Sequence, residues 1–261
     1  MPHTIAHPVM AIALNRCFRG KLDKTGLIAG TVAPDLQSFF LLKAVDTDFG
    51  HSAEGLLLFG LPVSLLLCFV FNRFAADLIS LHLPEPVGHM AYRLRKRNSG
   101  GMYGFFLLAA SIVLGMLSHL FLDSFTHEGG LLYPLMTAMV KPFAAGAGPD
   151  VMELQVLLSV ICLAIAAGYL AYCAHTQSMA EPSFTGSKAA KRGYWTAVML
   201  CSAAAVFASI ALHRPFSAME WVAVMAVAPF SGAMLGIFLA PVVLPLQRKV
   251  RCAYLDAAQN L

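Results

Sequence analysis

GFFLLAASIVLGMLSHLFLDSFTH, residues 104–127, decides the fold of this chain. Gly104–Leu122 is apolar for long enough to cross a bilayer, which takes about 20 residues (range ~17–25). The run then closes on His119, Asp123 and His127, spaced four apart. On a helix, residues i and i+4 stack on one face, so the three form a ladder. Ionisable groups at the margin of a membrane helix are costly and usually functional. Two imidazoles and a carboxylate on one face make a divalent-metal half-site. The alternative is a hydrogen-bonded polar patch that closes the helix end, with Asp123 orienting a neutral histidine.

The rest of the chain has the same character. Hydrophobic residues make up 58% and charged residues 12%, and mean hydropathy is +0.70. Soluble domains carry about 45–50% apolar and about 25% charged residues. The expected fold is therefore all-α, a polytopic membrane helix bundle forming one integral membrane domain over residues 1–261. The net charge of +4 is small and its basic residues sit in short loop clusters, so they read as topology signals. No aromatic-basic interleaving offers a nucleic-acid groove, and no nucleic-acid partner is expected. The six cysteines form no CxxC and read as small buried hydrophobes. The 13 methionines read as core filler. The N-terminus has no basic region before an apolar stretch and is not read as a cleaved signal peptide.

Five apolar stretches are long enough to span: Leu56–Phe71, Gly104–Leu122, Leu154–Cys173, Tyr194–Leu212 and Trp221–Leu244. Two shorter ones precede them, Ile5–Phe18 with Pro8 inside and Gly26–Leu42 with Pro34 inside. These are short spans, re-entrant helices or helices packed within the bundle, for about seven helices in all. Lys and Arg concentrate in alternate linkers: 16–24, 73–97, 188–192 and 248–251. The intervening linkers hold only Lys43, Lys141 and Arg214. Seven crossings reconcile this alternation with the positive-inside rule, with the N-terminus outside and the C-terminus cytoplasmic. Leu81–Gly101 reads as a polar cytoplasmic loop with His82 and His89 solvated, and Leu131–Gly148 as an outer loop. Tyr172, Trp195 and Trp221 read as interface anchors. Residues 154–261 read as a helical scaffold half, with small residues such as Ala203–Ala205 and Gly232-Ala233 for close packing. Residues 1–130 hold the side chains capable of chemistry.

On this topology His7, Asp35, His51, His119, Asp123 and His127 all fall at one side of the membrane. The loops were assigned from Lys and Arg alone, so the convergence is not built into that assignment. Imidazoles and carboxylates suit zinc, and Asp35 can bridge two cations. Glu54, one turn after His51, can orient a ligand or act as a base; Glu128 is an alternative. Each residue also has a plainer role. Asp35 after Pro34 fits a helix cap or turn. His51 fits a solvated loop, and His7 fits a helix start before Pro8.

The motifs HTIAHP (His3–Pro8), GTVAPD (Gly30–Asp35), GHS (Gly50–Ser52) and SHLFLDSFTHEGG (Ser118–Gly130) resemble those of the DUF4184 proteins, an uncharacterised bacterial membrane family. That family is similar to the predicted membrane-bound metal-dependent hydrolases of the DUF457 group. The resemblance covers the first half; in the second it rests on hydrophobicity alone. A more distant likeness is to zinc-dependent phospholipase C and related single-strand nucleases, whose ligands run His, Asp, His, His-x-x-x-Asp, His. His7, Asp35, His51, His119, Asp123 and His127 keep that order. By that likeness Asp35 would be a bridging ligand or base and Asp123 would be shared between metals. The later His-x-x-x-Glu pair of those enzymes is missing, since His175 and His213 lack the following carboxylate. Their N-terminal amine ligand has no clear counterpart in Met1. One or two zinc ions, not three, are expected.

The expectation is a membrane-embedded metal-dependent hydrolase. It would act on a phosphoester of a lipid or lipid-linked substrate at the outer face of a bacterial inner membrane, with Asp35 or Glu54 managing the proton. A transport protein with a cation site, or a structural membrane protein with a His/Asp patch, are the alternatives. Against transport, the last three spans are nearly devoid of ionisable residues.

Overall fold

The computed structural model describes residues 4–44, 48–83, 101–143, 151–177 and 188–243. His3, His89, the part of the basic linker from residue 84 on and the basic cluster at 248–251 lie outside the described residues. Helix dominates, and no strand occurs among the described residues. Five helices are long and apolar enough to cross a membrane: Ala53–Arg73, Gly101–Asp123, Glu153–Cys173, Lys188–His213 and Ala218–Ala240. Each contains one of the five stretches expected from hydropathy or nearly all of it. Their outward surfaces carry exposed Phe105, Phe106, Phe121, Ile165 and Phe207, side chains that hydrocarbon solvates.

The two N-terminal helices are α1 (Val9–Cys17) and α2 (Lys24–Val32). Each has nine residues, about 14 Å at 1.5 Å per residue, under half the ~30 Å hydrocarbon core. Neither crosses by itself, so helix length supports five crossings where the charge alternation suggested seven. Both pack within the bundle instead. Asp23 starts α2 as its N-cap, with Oδ1 accepting from Gly26 N at 2.8 Å. Pro34 ends it, because a proline has no N–H to continue the ladder. The chain tightens to a 3-10 turn at Ala33–Asp35 and goes on as α3 (Leu36–Leu41). Leu42 closes α3 in the left-handed region at φ 55°.

After a single turn, α4 (Asp48–His51), Ser52 caps the next helix by accepting from Gly55 N at 3.0 Å. This helix, α5, runs unbroken through Ala53–Gly55, Leu56–Gly60, Leu61–Val70, Phe71–Ala75 and Ala76–His82. Two of those stretches, Leu56–Gly60 and Phe71–Ala75, are π-helical. The first sits just before Pro62, which has no N–H for the carbonyl four residues back. Helix α6 (Gly101–Asp123) follows, then α7 (Tyr133–Val140), α8 (Val151–Gln177), α9 (Lys188–His213), α10 (Ala218–Met225) and α11 (Ala228–Val243).

Three expectations change. The segment 131–148 was expected to be a loop, yet it contains α7, started by Pro134 in its first turn. Leu131, Leu135 and Met139, four apart, are all exposed, an apolar stripe suited to a membrane interface. The fifth span is two helices, α10 and α11, joined at a turn next to Pro229. His82 is not solvated: it is 3% exposed and stacks on Tyr194 with ring centroids 4.4 Å apart. Its carbonyl accepts the Trp195 indole N–H at 3.0 Å, so Trp195 is pinned to α5.

The core that positions the site is the contact of α2 with α6. The two helices run side by side in the same direction, Gly26 against Leu108 and Ser111, Gly30 against Ile112 and Gly115. A Cβ on Gly30 would collide with the Ile112 carbonyl, and one on Gly115 with that of Leu27. Glycine at both places lets backbone meet backbone. Around them Leu27, Ala33, Ile112 and Met116 are buried almost completely. In the second half α9 and α11 also meet through glycine but run antiparallel, with Gly232 against Cys201 and Ala205 and Gly236 against Val198.

Candidate metal centre

The convergent residues come from four pieces of backbone. His7 precedes α1, Asp35 ends the 3-10 turn after α2, His51 ends α4, and His119 and Asp123 lie one turn apart on the last part of α6. Because α2 and α6 are parallel, their ends arrive at the same level. His7, Asp35, His119 and Asp123 are buried, and His51 is partly buried.

Asp123 is the hub. Its Oδ1 accepts from His7 Nε2 at 3.0 Å. Its Oδ2 lies 3.2 Å from His51 Nε2 and 3.2 Å from His119 Nε2. Asp35 Oδ1 faces the same two rings at 3.6 and 3.8 Å. The His7 and His119 rings stack with centroids 3.9 Å apart and planes 16° from parallel. Thus His7, His119 and Asp123 form one potential ligand group and Asp35, His51 and His119 a second, with His119 in both.

Two details bear on what the group can bind. His119 Nδ1 lies 2.8 Å from the Thr31 carbonyl oxygen. A carbonyl only accepts, so Nδ1 carries a proton, and in its neutral form the ring then presents the Nε2 lone pair to the centre. An outer hydrogen bond of this kind fixes the tautomer of a metal-binding histidine. Second, His51 Nε2, His119 Nε2 and Asp123 Oδ2 are buried with no hydrogen-bond partner, although each nitrogen stands 3.2 Å from Oδ2. Buried polar atoms that converge without a well-formed hydrogen bond are costly. A cation among them resolves that cost, and the donor set fits a metal ion.

Asp35 occupies the N-cap position of α3 at the end of the 3-10 turn, but its carboxylate makes no capping bond there. Its Oδ2 accepts from the Thr4 hydroxyl, which leaves Oδ1 to the histidines. His127 stands apart. The helix ends at Asp123, and the turn that follows carries His127 off the ladder. His127 Nδ1 donates to the Asp123 carbonyl at 3.1 Å and lies 3.9 Å from its Oδ1. Its Nε2 faces the Gln155 amide of α8 at 3.3 Å. Glu54 and Glu128 are exposed and belong to neither ligand group.

Thr4 and Gln155 escaped sequence reading. Thr4 lies within the HTIAHP motif, but a threonine there carries no chemistry of its own until Asp35 is seen beside it. Gln155 opens a span in the half expected to be scaffold, so the second half does contribute to the site. With His127, Gln155 and Ser159, Asp123 lines a void of about 20 Å³, room for a water molecule, which takes roughly 10–15 Å³ by the same measure.

Neither a curated protein nor a solved structure matches the chain. One family model, a domain of unknown function (DUF4184), matches residues 1–245. That span takes in both the site half and nearly all of the second, and the chain belongs to the DUF4184 family.

Proposed function

We propose that this protein is a membrane-embedded metal-dependent hydrolase of phosphoesters. The observation that carries the reading is the set of buried atoms His51 Nε2, His119 Nε2 and Asp123 Oδ2, unpartnered and facing one another. His7, Asp35, His51, His119 and Asp123 would hold one or two divalent ions, and an imidazole-carboxylate set suits zinc. A bound ion would polarise a phosphoryl oxygen and lower the pKa of water toward ~7.

The chain's own groups supply the rest. Thr4 holds Asp35 by one oxygen and orients the other toward the centre, where it can take a proton from an attacking water. His127 and Gln155 form the polar wall of the water-sized void beside Asp123. The distant likeness to zinc-dependent phospholipase C agrees with this chemistry and is analogy only.

The site's end of the bundle carries Lys43, Lys141 and Arg214. The opposite end carries Arg16, Arg19, Lys21, Lys24, Arg73, Lys188, Lys191 and Arg192. By the positive-inside rule the centre faces outward, at the outer side of a bacterial inner membrane.

The test is elemental analysis of detergent-purified protein, with hydrolysis of bis(p-nitrophenyl) phosphate. The expected result is one or two equivalents of transition metal, reduced in His119→Ala, and hydrolysis abolished by chelator and by Asp35→Asn. Metal-free protein that stays metal-free after zinc dialysis makes the His/Asp set structural. Metal without hydrolysis of any phosphoester, but with cation uptake in vesicles, makes it a transport site.

A further inference from the structure

A second feature lies next to residues that adjoin the centre. A cleft of about 460 Å³ runs between α2, α5 and α11. That is the size of sites that take drug-sized ligands, about 300–1,000 Å³. Thr4 and Pro8 line one end, next to His7, and Leu36 follows Asp35 along the same wall. Deeper in, the lining is Ile28, Phe39, Phe71, Phe230 and Met234. The walls belong to helices at membrane depth, so the neighbouring solvent is hydrocarbon.

We propose that this cleft receives the acyl chain of a membrane phospholipid whose phosphate sits at the His/Asp centre. The proposal rests on the hydrolase reading and adds the substrate class. An apolar groove of this volume gives water nothing to bond to, since polar atoms are nearly absent from its lining. Thr25 sits in the deep wall, and its hydroxyl is already bonded to Asp23 at 2.6 Å. Thr4 is bonded to Asp35. Lipid chains surround the helices and are the one apolar filler present at high concentration. The cleft reaches Thr4, whose hydroxyl is bonded to Asp35, while the small water-sized void is lined by His7, Asp123 and His127. A lipid whose tail lies in the cleft therefore brings its headgroup to Asp35 and His7, with water approaching from the His127 side.

The experiment uses the full chain in nanodiscs of phosphatidylglycerol and phosphatidylethanolamine. These are doped with a phosphatidylglycerol that bears a diazirine in its acyl chain. After photolysis, labelled peptides are mapped by mass spectrometry. The expected labels fall on Phe39, Phe71 and Phe230, and fall at least fivefold in Ile28→Trp and Met234→Trp, which fill the groove. In the same variants, hydrolysis of long-chain phosphatidylglycerol drops tenfold or more, while bis(p-nitrophenyl) phosphate turnover stays within twofold. Labels confined to outward residues such as Phe105 and Phe121, unchanged in the variants, overturn the tail site and leave the hydrolase reading standing. Cleft labelling without hydrolysis of either substrate, in metal-loaded protein, overturns the hydrolase reading and keeps the tail site. Cross-links between two copies of the chain at the cleft make it a dimer interface and overturn the lipid assignment.

Discussion

Asp123 and His119 carry the centre between them, and their roles differ. Asp123 holds three imidazoles within 3.2 Å, whereas His119 joins the two ligand groups and ties them to α2 through Thr31. Substituting His119→Ala removes the side-chain donor to the Thr31 carbonyl and the ring that stands beside Asp123 Oδ2. Burying an unmet polar group costs about 1–3 kcal/mol. The expected outcome is a lower unfolding temperature together with loss of the rise that zinc gives the wild type, read by thermal unfolding with and without metal. Retained zinc stabilisation in H119A would place the ion elsewhere. Thr4→Val keeps the shape and removes only the hydroxyl on Asp35. Removing an outer partner of this kind costs about 10–100-fold in metal affinity or activity. T4V should therefore bind zinc more weakly by a factor in that range in a competition titration, with its fold intact. Affinity equal to wild type would show that Asp35 needs no such support.

At the scale of helices, α2 sets the site by lying backbone to backbone on α6. Gly30→Val forces the two apart, an overpacking of about 1–3 kcal/mol or more. Because Thr31 and Asp35 move with α2, the variant should lose metal as well as stability. Gly168→Ala on α8 is the control, since nothing lies near a Cβ there. It should be neutral or stabilising by about 0.5–1 kcal/mol through helix propensity. Circular dichroism, unfolding and bound zinc measured on both variants decide the matter. Full metal occupancy in G30V would disprove that the glycine contact places the site. Asp23→Ala removes the cap of α2 and should lower stability by about 1 kcal/mol, with metal retained, since Asp23 lies at the opposite end of α2 from Asp35.

For the whole molecule the question is which way it faces. Leu131 is exposed beside the site's end of α6, and Lys188 is exposed at the start of α9, where Lys191 Nζ donates to the Leu83 carbonyl at 3.3 Å. In a background without other cysteines, Leu131→Cys should react with an impermeant maleimide in intact cells. Lys188→Cys should react only after permeabilisation. Labelling of both from one side would contradict the bundle, and reversed accessibility would turn the site toward the cytoplasm. The bundle has two layers of function as well. Residues up to Asp123 provide every member of the two ligand groups, while α8 and α11 from the second half wall the water-sized void and the apolar cleft.

Hydropathy alone located the five spans, because crossing a bilayer demands an uninterrupted apolar run and little else can supply one. Residue type and spacing also singled out the members of the centre, since His and Asp beside such runs are too costly to be incidental. Prolines at 8 and 34 marked where the N-terminal helices break. Tertiary structure alone decided that α2 runs parallel to α6, and so that His7, Asp35, His51, His119 and Asp123 share a pocket. It also moved His127 to the rim, brought in Thr4 and Gln155, and buried His82 against Tyr194. Those outcomes depend on helix ends, close glycine contacts and long-range pairing, and none of them has a signature within a few residues of sequence.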